Sequence, residues 1–315
     1  MNARAVVFPE AGSLELRDVV LREEQPDEVV VETAFSSISS GTERLLFNGA
    51  LSGLPHLRYP LVPGYEASGR VIRVGADVTG VREGDEVFVG GSMCYVDVAA
   101  AFGGQSSHLV KRASQVVPLR GIRLDHAPLL ALAATALHGV RRLGPVDGKR
   151  VAVLGVGAVG NLAAQFLLAA GATVIAIDRS AARLRAVPAH EWVDASHDVP
   201  ESVVAPVAAA IEATGSPSEI ARTARLIEPQ GSIVLLSFYE KLETRFEDLF
   251  TKEATLLVAR EWAPADLVAA RDAAADGSVS LAPLAGHVVP IERYAAAYDT
   301  AFNDTSVPKV VLQWA

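Results

Sequence analysis

The rhythm of hydrophobic and polar positions changes once along this chain, near residue 120. Before that point apolar residues come in short β-type runs, ARAVVF, EVVVETAF, ASGRVIRVG and DEVFVG, separated by Gly and Pro. Runs of that length bounded by turn residues predict strands, so the first part reads as an all-β region. From Asp125 the helical pattern APLLALAATALHGVRRL opens an alternation of helix and strand. A strand VAVL, a helix NLAAQFLLAAG and a strand TVIAID follow, and further strands are expected at EWVDA, VAAAIEATG, GSIVLLSF and ATLLVAR. Such alternation predicts a parallel sheet with helices on both faces, a doubly wound α/β domain. The remainder predicts a helix from about Pro264 to Ala275, a strand near HVVP, a helix over IERYAAAYDTAFN and a last strand KVVLQW.

Three glycines interrupt the first strand–helix junction as Gly155-x-Gly157-x-x-Gly160. In that context the spacing predicts a dinucleotide-binding turn. Gly155 permits the tight turn, Gly157 lets backbone approach a pyrophosphate, and Gly160 lets the helix pack close to the strand. Ala158 and Val159 open the helix, whose unpaired N–H groups and positive dipole end face the phosphates. Asp178 ends the second strand about twenty residues on, where an acid binds the ribose hydroxyls of NAD and repels the extra phosphate of NADP. Arg179 beside it is a weak counterweight. Gly215 and Ser237 follow the fourth and fifth strands, at carboxyl ends where a nicotinamide passes.

A length of 315 residues, half of them hydrophobic, is enough for two domains with their own cores. The net charge of −9, with Lys and Arg scattered, argues against a nucleic-acid partner. The longest apolar runs are too short, or too interrupted by His, Gly or polar residues, to span a membrane. The opening MNARAVVFPEAG reads as a strand and turn, without the regions of a signal peptide, so a cytoplasmic location is expected. One cysteine, Cys94, allows no internal disulfide framework and fits a reducing compartment as a small buried residue.

The order of these parts resembles the medium-chain dehydrogenase/reductase superfamily. SSGTE, Ser39 to Glu43, resembles its Cys-Gly-Thr-Asp turn, and YPLVPGYEASGRV, Tyr59 to Val71, resembles its Pro-x-x-x-Gly-His-Glu segment. The resemblance implies a GroES-like β-rich catalytic domain over 1–122, a Rossmann domain over 123–264 and a segment 265–315 returning to the catalytic domain. At the positions that hold a catalytic zinc in other members stand Ser40 (or Ser39, since the turn has one extra residue), Tyr65 and, by spacing to His138, Ala131; only Glu66 is retained. Hydroxyls are poor zinc ligands beside thiolate and imidazole, and the four-cysteine structural lobe is missing, so a zinc-free member is expected.

GTERLLFNG, AFGGQSSHLV, LLALAATALHG, FYEKLETRFEDLFTKEA and YDTAFNDTSVPKVVLQW are similar, more narrowly, to the 3-(1-hydroxyethyl)bacteriochlorophyllide a dehydrogenase family. That resemblance implies NAD-linked oxidation of a hydroxyethyl group to acetyl on a chlorophyllide-type macrocycle, by a homodimer paired at ATLLVAR. Loss of the metal hands its role to side chains: Tyr65 to bond the substrate oxygen, Thr42 to relay its proton, Glu66 to act as base or to orient Tyr65. Each also has a structural reading: Tyr65 as filler of the vacated space, Thr42 as a turn cap, Glu66 as partner of an arginine across the domain interface. His138 is expected to pack near the cofactor cleft. His56, His108, Arg44, Arg58, Lys111 and the apolar loop Ala50 to Val62 are further candidates for macrocycle contacts, against a solvated or packing role. A zinc-free enone or quinone reductase using NADPH, and a nucleotide-binding sensor without chemistry, stand as alternatives.

Overall fold

The computed structural model describes residues 1–51, 53, 57–197, 200–239 and 241–315. His56 and part of the apolar loop from Ala50 to Val62 therefore lie outside the described residues. The chain divides into two compact units, Met1–Ala131 with Leu284–Ala315, and Leu132–Pro283. These bounds differ from those drawn at 122 and 264. The helix Pro264–Ala275 belongs to the second unit, where Asp266 bonds His138 Nδ1 at 2.8 Å and Arg141 Nη1 at 2.5 Å. Gln165 adds two bonds to the Ser280 backbone in that unit.

In the first unit the alternating runs form a sheet ordered His287–Pro290, Val310–Gln313, Glu28–Ser37, Ala67–Val74, Glu86–Val89 and Val116–Pro118, with His108–Arg112 also paired to Glu28–Ser37. Strand Glu28–Ser37 runs antiparallel to both Ala67–Val74 and Val310–Gln313, with Ser36 opposite Ala67 and Ser37 opposite Val311. The end of one strand thus lies beside the starts of two others. That register brings Ser37 and the turn after it next to Tyr65, Glu66 and Lys309. Buried Val29, Val31, Ala67, Val71, Val87 and Leu109 form the core on one side of this sheet. The region is not all β, because Thr42–Phe47 forms one short helix. Leu46 from that helix packs with Phe8, Ile38 and Tyr298 in a second core.

In the second unit the six parallel strands, here labelled β1 (Arg150–Leu154), β2 (Thr173–Asp178), β3 (Glu191–Asp194), β4 (Val207–Glu212), β5 (Ile227–Leu235) and β6 (Thr255–Val258), are ordered β3-β2-β1-β4-β5-β6. The order reverses between β1 and β4, the switch point where such sheets bind ligands at their carboxyl ends. Residues on the central strands β1, β2 and β4 are buried almost throughout, as expected of a parallel sheet covered on both faces, while the edge strands β3 and β6 are not. The edge strand β6 leaves Val258 64% exposed.

Candidate active site

The glycine turn after β1 has the geometry its spacing predicts. Gly155 takes φ +81°, and a Cβ there would meet Thr214 N at 2.8 Å. At Gly160 a Cβ would fall 1.9 Å from the Gly155 carbonyl oxygen, so the helix Ala158–Ala169 approaches the strand turn only because that residue has no side chain. Gly157 differs: an added Cβ would meet nothing closer than Arg183 Nη1 at 3.8 Å. Open space above a helix start with orphan N–H groups is what a pyrophosphate needs, so these residues fit a dinucleotide. No side chain caps the helix, leaving the N–H groups of Ala158 and Val159 available.

Asp178 stands at this turn and is nearly buried, its Oδ2 accepting from Val156 N at 2.9 Å and its Oδ1 from Ser180 N at 2.8 Å. A carboxylate accepts about four hydrogen bonds, so it retains capacity for ribose hydroxyls. Arg179 is exposed. The guanidinium that approaches the acid is that of Arg183, 3.9 Å from Asp178 Oδ2, a residue no sequence motif marked. Gly215, at φ +72°, and Ser237 are brought together, since a Cβ on Gly215 would lie 3.8 Å from Ser237 Cβ. Glu212 at the end of β4 holds that turn. Its fully buried carboxylate accepts from Thr214 N at 3.0 Å and from the hydroxyls of Thr214 and Tyr239, and burial pushes its pKa up to about 7.

The second cluster lies in the first unit, where the Ser37 strand end and the Tyr65–Glu66 strand start converge. Tyr65 OH is 2.8 Å from Ser39 Oγ and 3.3 Å from Thr42 Oγ1. Of the two serines, Ser39 is buried in this cluster and Ser40 is exposed. Burial, then the charge of Glu66, raises the Tyr65 pKa, so the phenol keeps its proton at neutral pH. Ala131 is fully buried and brings no metal donor.

Glu66 is 1% exposed, and the cation paired with it among the described residues is a lysine rather than the expected arginine. Its partners are Lys309 Nζ at 2.6 Å and the Ser37 hydroxyl, while Oε1 has no hydrogen-bond partner. Lys309 precedes the last strand and had no sequence signal, since a lysine ahead of an apolar strand reads as surface. Sequence also missed Glu43, which is fully buried and accepts from Ser39 N at 2.9 Å, Gln105 Nε2 at 3.2 Å and Tyr298 OH at 2.5 Å. Burial pushes its carboxyl up to about 7, partly offset by the Tyr298, Ser39 and Gln105 bonds. Among the described residues no three His, Cys, Asp or Glu side chains form a metal-binding group. The donors that do stand here are hydroxyls bonded to each other and a carboxylate bonded to an ammonium, a set that does not suit zinc.

His138 pairs with Asp266 in the second unit, and His108 is half-buried, with burial lowering its pKa. Arg44 donates to the Phe302 carbonyl at 2.9 Å. Among the described residues no helix is long and apolar enough to cross a membrane.

Residues 25–121 match the alcohol dehydrogenase GroES-like domain and residues 158–274 the zinc-binding dehydrogenase family. A solved dehydrogenase from Sinorhizobium meliloti 1021, bound to NADP, superposes with a TM-score of 0.87 at 23% identity over 100% of both chains. An alcohol dehydrogenase of Escherichia coli CFT073, complexed with NADH, gives 0.87 at 21% identity over 99% of both. These two likenesses show the fold. The 2-desacetyl-2-hydroxyethyl bacteriochlorophyllide A dehydrogenase of Cereibacter sphaeroides is 36% identical over 100% of this chain and 99% of its own. With that identity sustained end to end, and with both domain models matched in order, the chain belongs to the bacteriochlorophyllide hydroxyethyl dehydrogenase family of the medium-chain dehydrogenases.

Proposed function

We propose that this protein is an NAD-dependent alcohol dehydrogenase that oxidises the 1-hydroxyethyl group of a chlorophyllide-type macrocycle to acetyl without a catalytic metal. The observation that carries the chemistry is the hydroxyl cluster Ser39–Tyr65–Thr42 beside a carboxylate already neutralised by Lys309. The relative's activity, stated in its name, supports the choice of substrate.

Oxidation of a carbinol removes one hydride and one proton. The nicotinamide, when bound, supplies the hydride acceptor. The protein's share is the proton. Tyr65 stays a phenol and so acts as a relay: its oxygen accepts the carbinol proton as it gives its own to Thr42 Oγ1. Thr42 is only half-buried and follows the exposed Gly41, which supports an exit to solvent there. Ser39 Oγ, fixed through its own backbone by Glu43, keeps the phenol oriented. The Glu66–Lys309 pair places a fixed ion pair beside the relay. A conjugated macrocycle stabilises charge developing at the carbinol carbon, which lessens the need for a Lewis acid.

Asp178 supports NAD over NADP, because a carboxylate at that turn repels a 2′-phosphate. The exposed apolar edge of β6 supports a homodimer closed by a two-fold axis, and the single buried Cys94 supports a reducing, cytoplasmic location. The deciding experiment is NADH formation with a 3-(1-hydroxyethyl) chlorin or bacteriochlorin against secondary alkanols, using protein checked by elemental analysis. Turnover of the macrocycle without stoichiometric zinc is the expected result. A better kcat/KM for a simple alkanol, or activity that tracks about one zinc per chain, would defeat it.

A further inference from the structure

Phe102 is held in a backbone conformation that its side chain disfavours. Its φ is +73°, in the left-handed region, which a bulky L side chain disfavours. The other non-glycine residues described there are Arg120, Gln230 and Glu253, all polar. The loop around Phe102 is fastened on every side. Ala101 N donates to Val62 O at 2.8 Å, Tyr95 OH to Gly103 O at 2.7 Å, and Gly104 N to Gly64 O at 2.6 Å. Gly91 makes room for it, since a Cβ there would strike the Phe102 carbonyl at 2.2 Å.

This strain is not repaid by core burial, because Phe102 remains 42% exposed. What the loop achieves is placement. The Phe102 ring lies against the Tyr65 ring edge to face, with centroids 5.2 Å apart and planes at 72°. A strained, half-exposed aromatic fixed beside the phenol of a hydroxyl cluster is a surface held ready for a flat apolar partner.

We infer that Phe102 determines substrate specificity: its exposed surface takes the conjugated ring of the substrate, and its contact with Tyr65 sets the phenol against the carbinol of that ring. The inference rests on the proposed macrocyclic substrate and adds the residue that selects it.

The test compares the unmodified protein with Phe102→Leu, Phe102→Tyr and Phe102→Gly, using a 3-(1-hydroxyethyl) chlorin as probe. Two readings are taken: KM and kcat with NAD, and the absorption change of the chlorin on binding without cofactor. Phe102→Leu and Phe102→Gly should raise KM and weaken binding about tenfold, with a smaller effect on kcat, while Phe102→Tyr stays within about twofold. Phe102→Gly removes the left-handed strain together with the Tyr65 ring contact, so KM and binding are compared below the measured Tm of every variant, which separates lost binding from lost folding. If the parent turns over the chlorin and Phe102→Leu matches it in KM and binding, the inference falls and the proposed function stands. If Phe102→Tyr loses as much as Phe102→Leu, the inference also falls. A parent that neither binds nor turns over the chlorin overturns the substrate reading and this inference with it.

Discussion

Replacing Lys309 by Met isolates the buried charge pair at the first unit's site. The Lys309 side chain is 5% exposed and that of Glu66 is 0% exposed, with Nζ 2.6 Å from Oε2. Without the ammonium, Glu66 keeps only the Ser37 hydroxyl, and its Oε1 already lacks a hydrogen-bond partner. Removing one member of such a pair strands a buried charge, at a cost of about 3–5 kcal/mol. For a unit of this size each kcal/mol moves the midpoint by about 2–4 °C, so the first unit's transition should fall by roughly 6–20 °C. Adding Glu66→Gln removes the stranded charge, and the double variant should recover most of the loss. Scanning calorimetry of the full chain without cofactor measures this directly, since a bound dinucleotide would raise the apparent stability. A single variant that melts within about 2 °C of the parent, or a double variant no better than the single, would refute the claim that Lys309 compensates Glu66.

Tyr65→Phe and Thr42→Val should each lower kcat about a hundredfold while leaving cofactor affinity unchanged, read by steady-state kinetics and by NADH fluorescence titration. Full turnover in both would remove the relay. Asp178→Ala should weaken NAD more than NADP and loosen the Val156 turn, so the ratio of kcat/KM values for the two cofactors narrows; an unchanged ratio counts against the assignment. Glu43 has its folded pKa raised from 4.5 to about 7, so the unfolded chain loses this proton first. Its contribution is then fullest below about pH 4.5 and is lost as pH rises to about 7. In Glu43→Gln that decline should vanish from denaturant midpoints measured across the interval.

Periodicity made most of the fold legible, because buried parallel strands and long helices leave strong patterns. The helix Thr42–Phe47 escaped because six residues carry less than two turns of pattern. The helix Pro264–Ala275 falls in the second unit, where Asp266 bonds His138 across 128 residues, a contact no local window contains. At the site, a phenol standing where a metal ligand was expected pointed to Tyr65, and the resemblance of the SSGTE turn pointed to Thr42. Their companions were hidden for one physical reason: Lys309, Glu43 and Arg183 are charged residues in ordinary surface-like contexts, made special only by what the fold packs against them. Glu66 was readable as important and as a candidate partner for an arginine, but not as the partner of Lys309, which lies 243 residues later.

That separation ties the site to the order in which the chain is made. Ser37 and Glu66 are synthesised early, and the second unit, Leu132–Pro283, emerges before Lys309 does. A dinucleotide turn can therefore be complete on the ribosome while Glu66 is still without its counter-ion. Bringing residues 66 and 309 together also closes a long loop, whose entropy cost grows only slowly with length and shrinks once the intervening unit has folded. A chain cut short before residue 309 would carry the second unit's fold yet leave Glu66 without its cation.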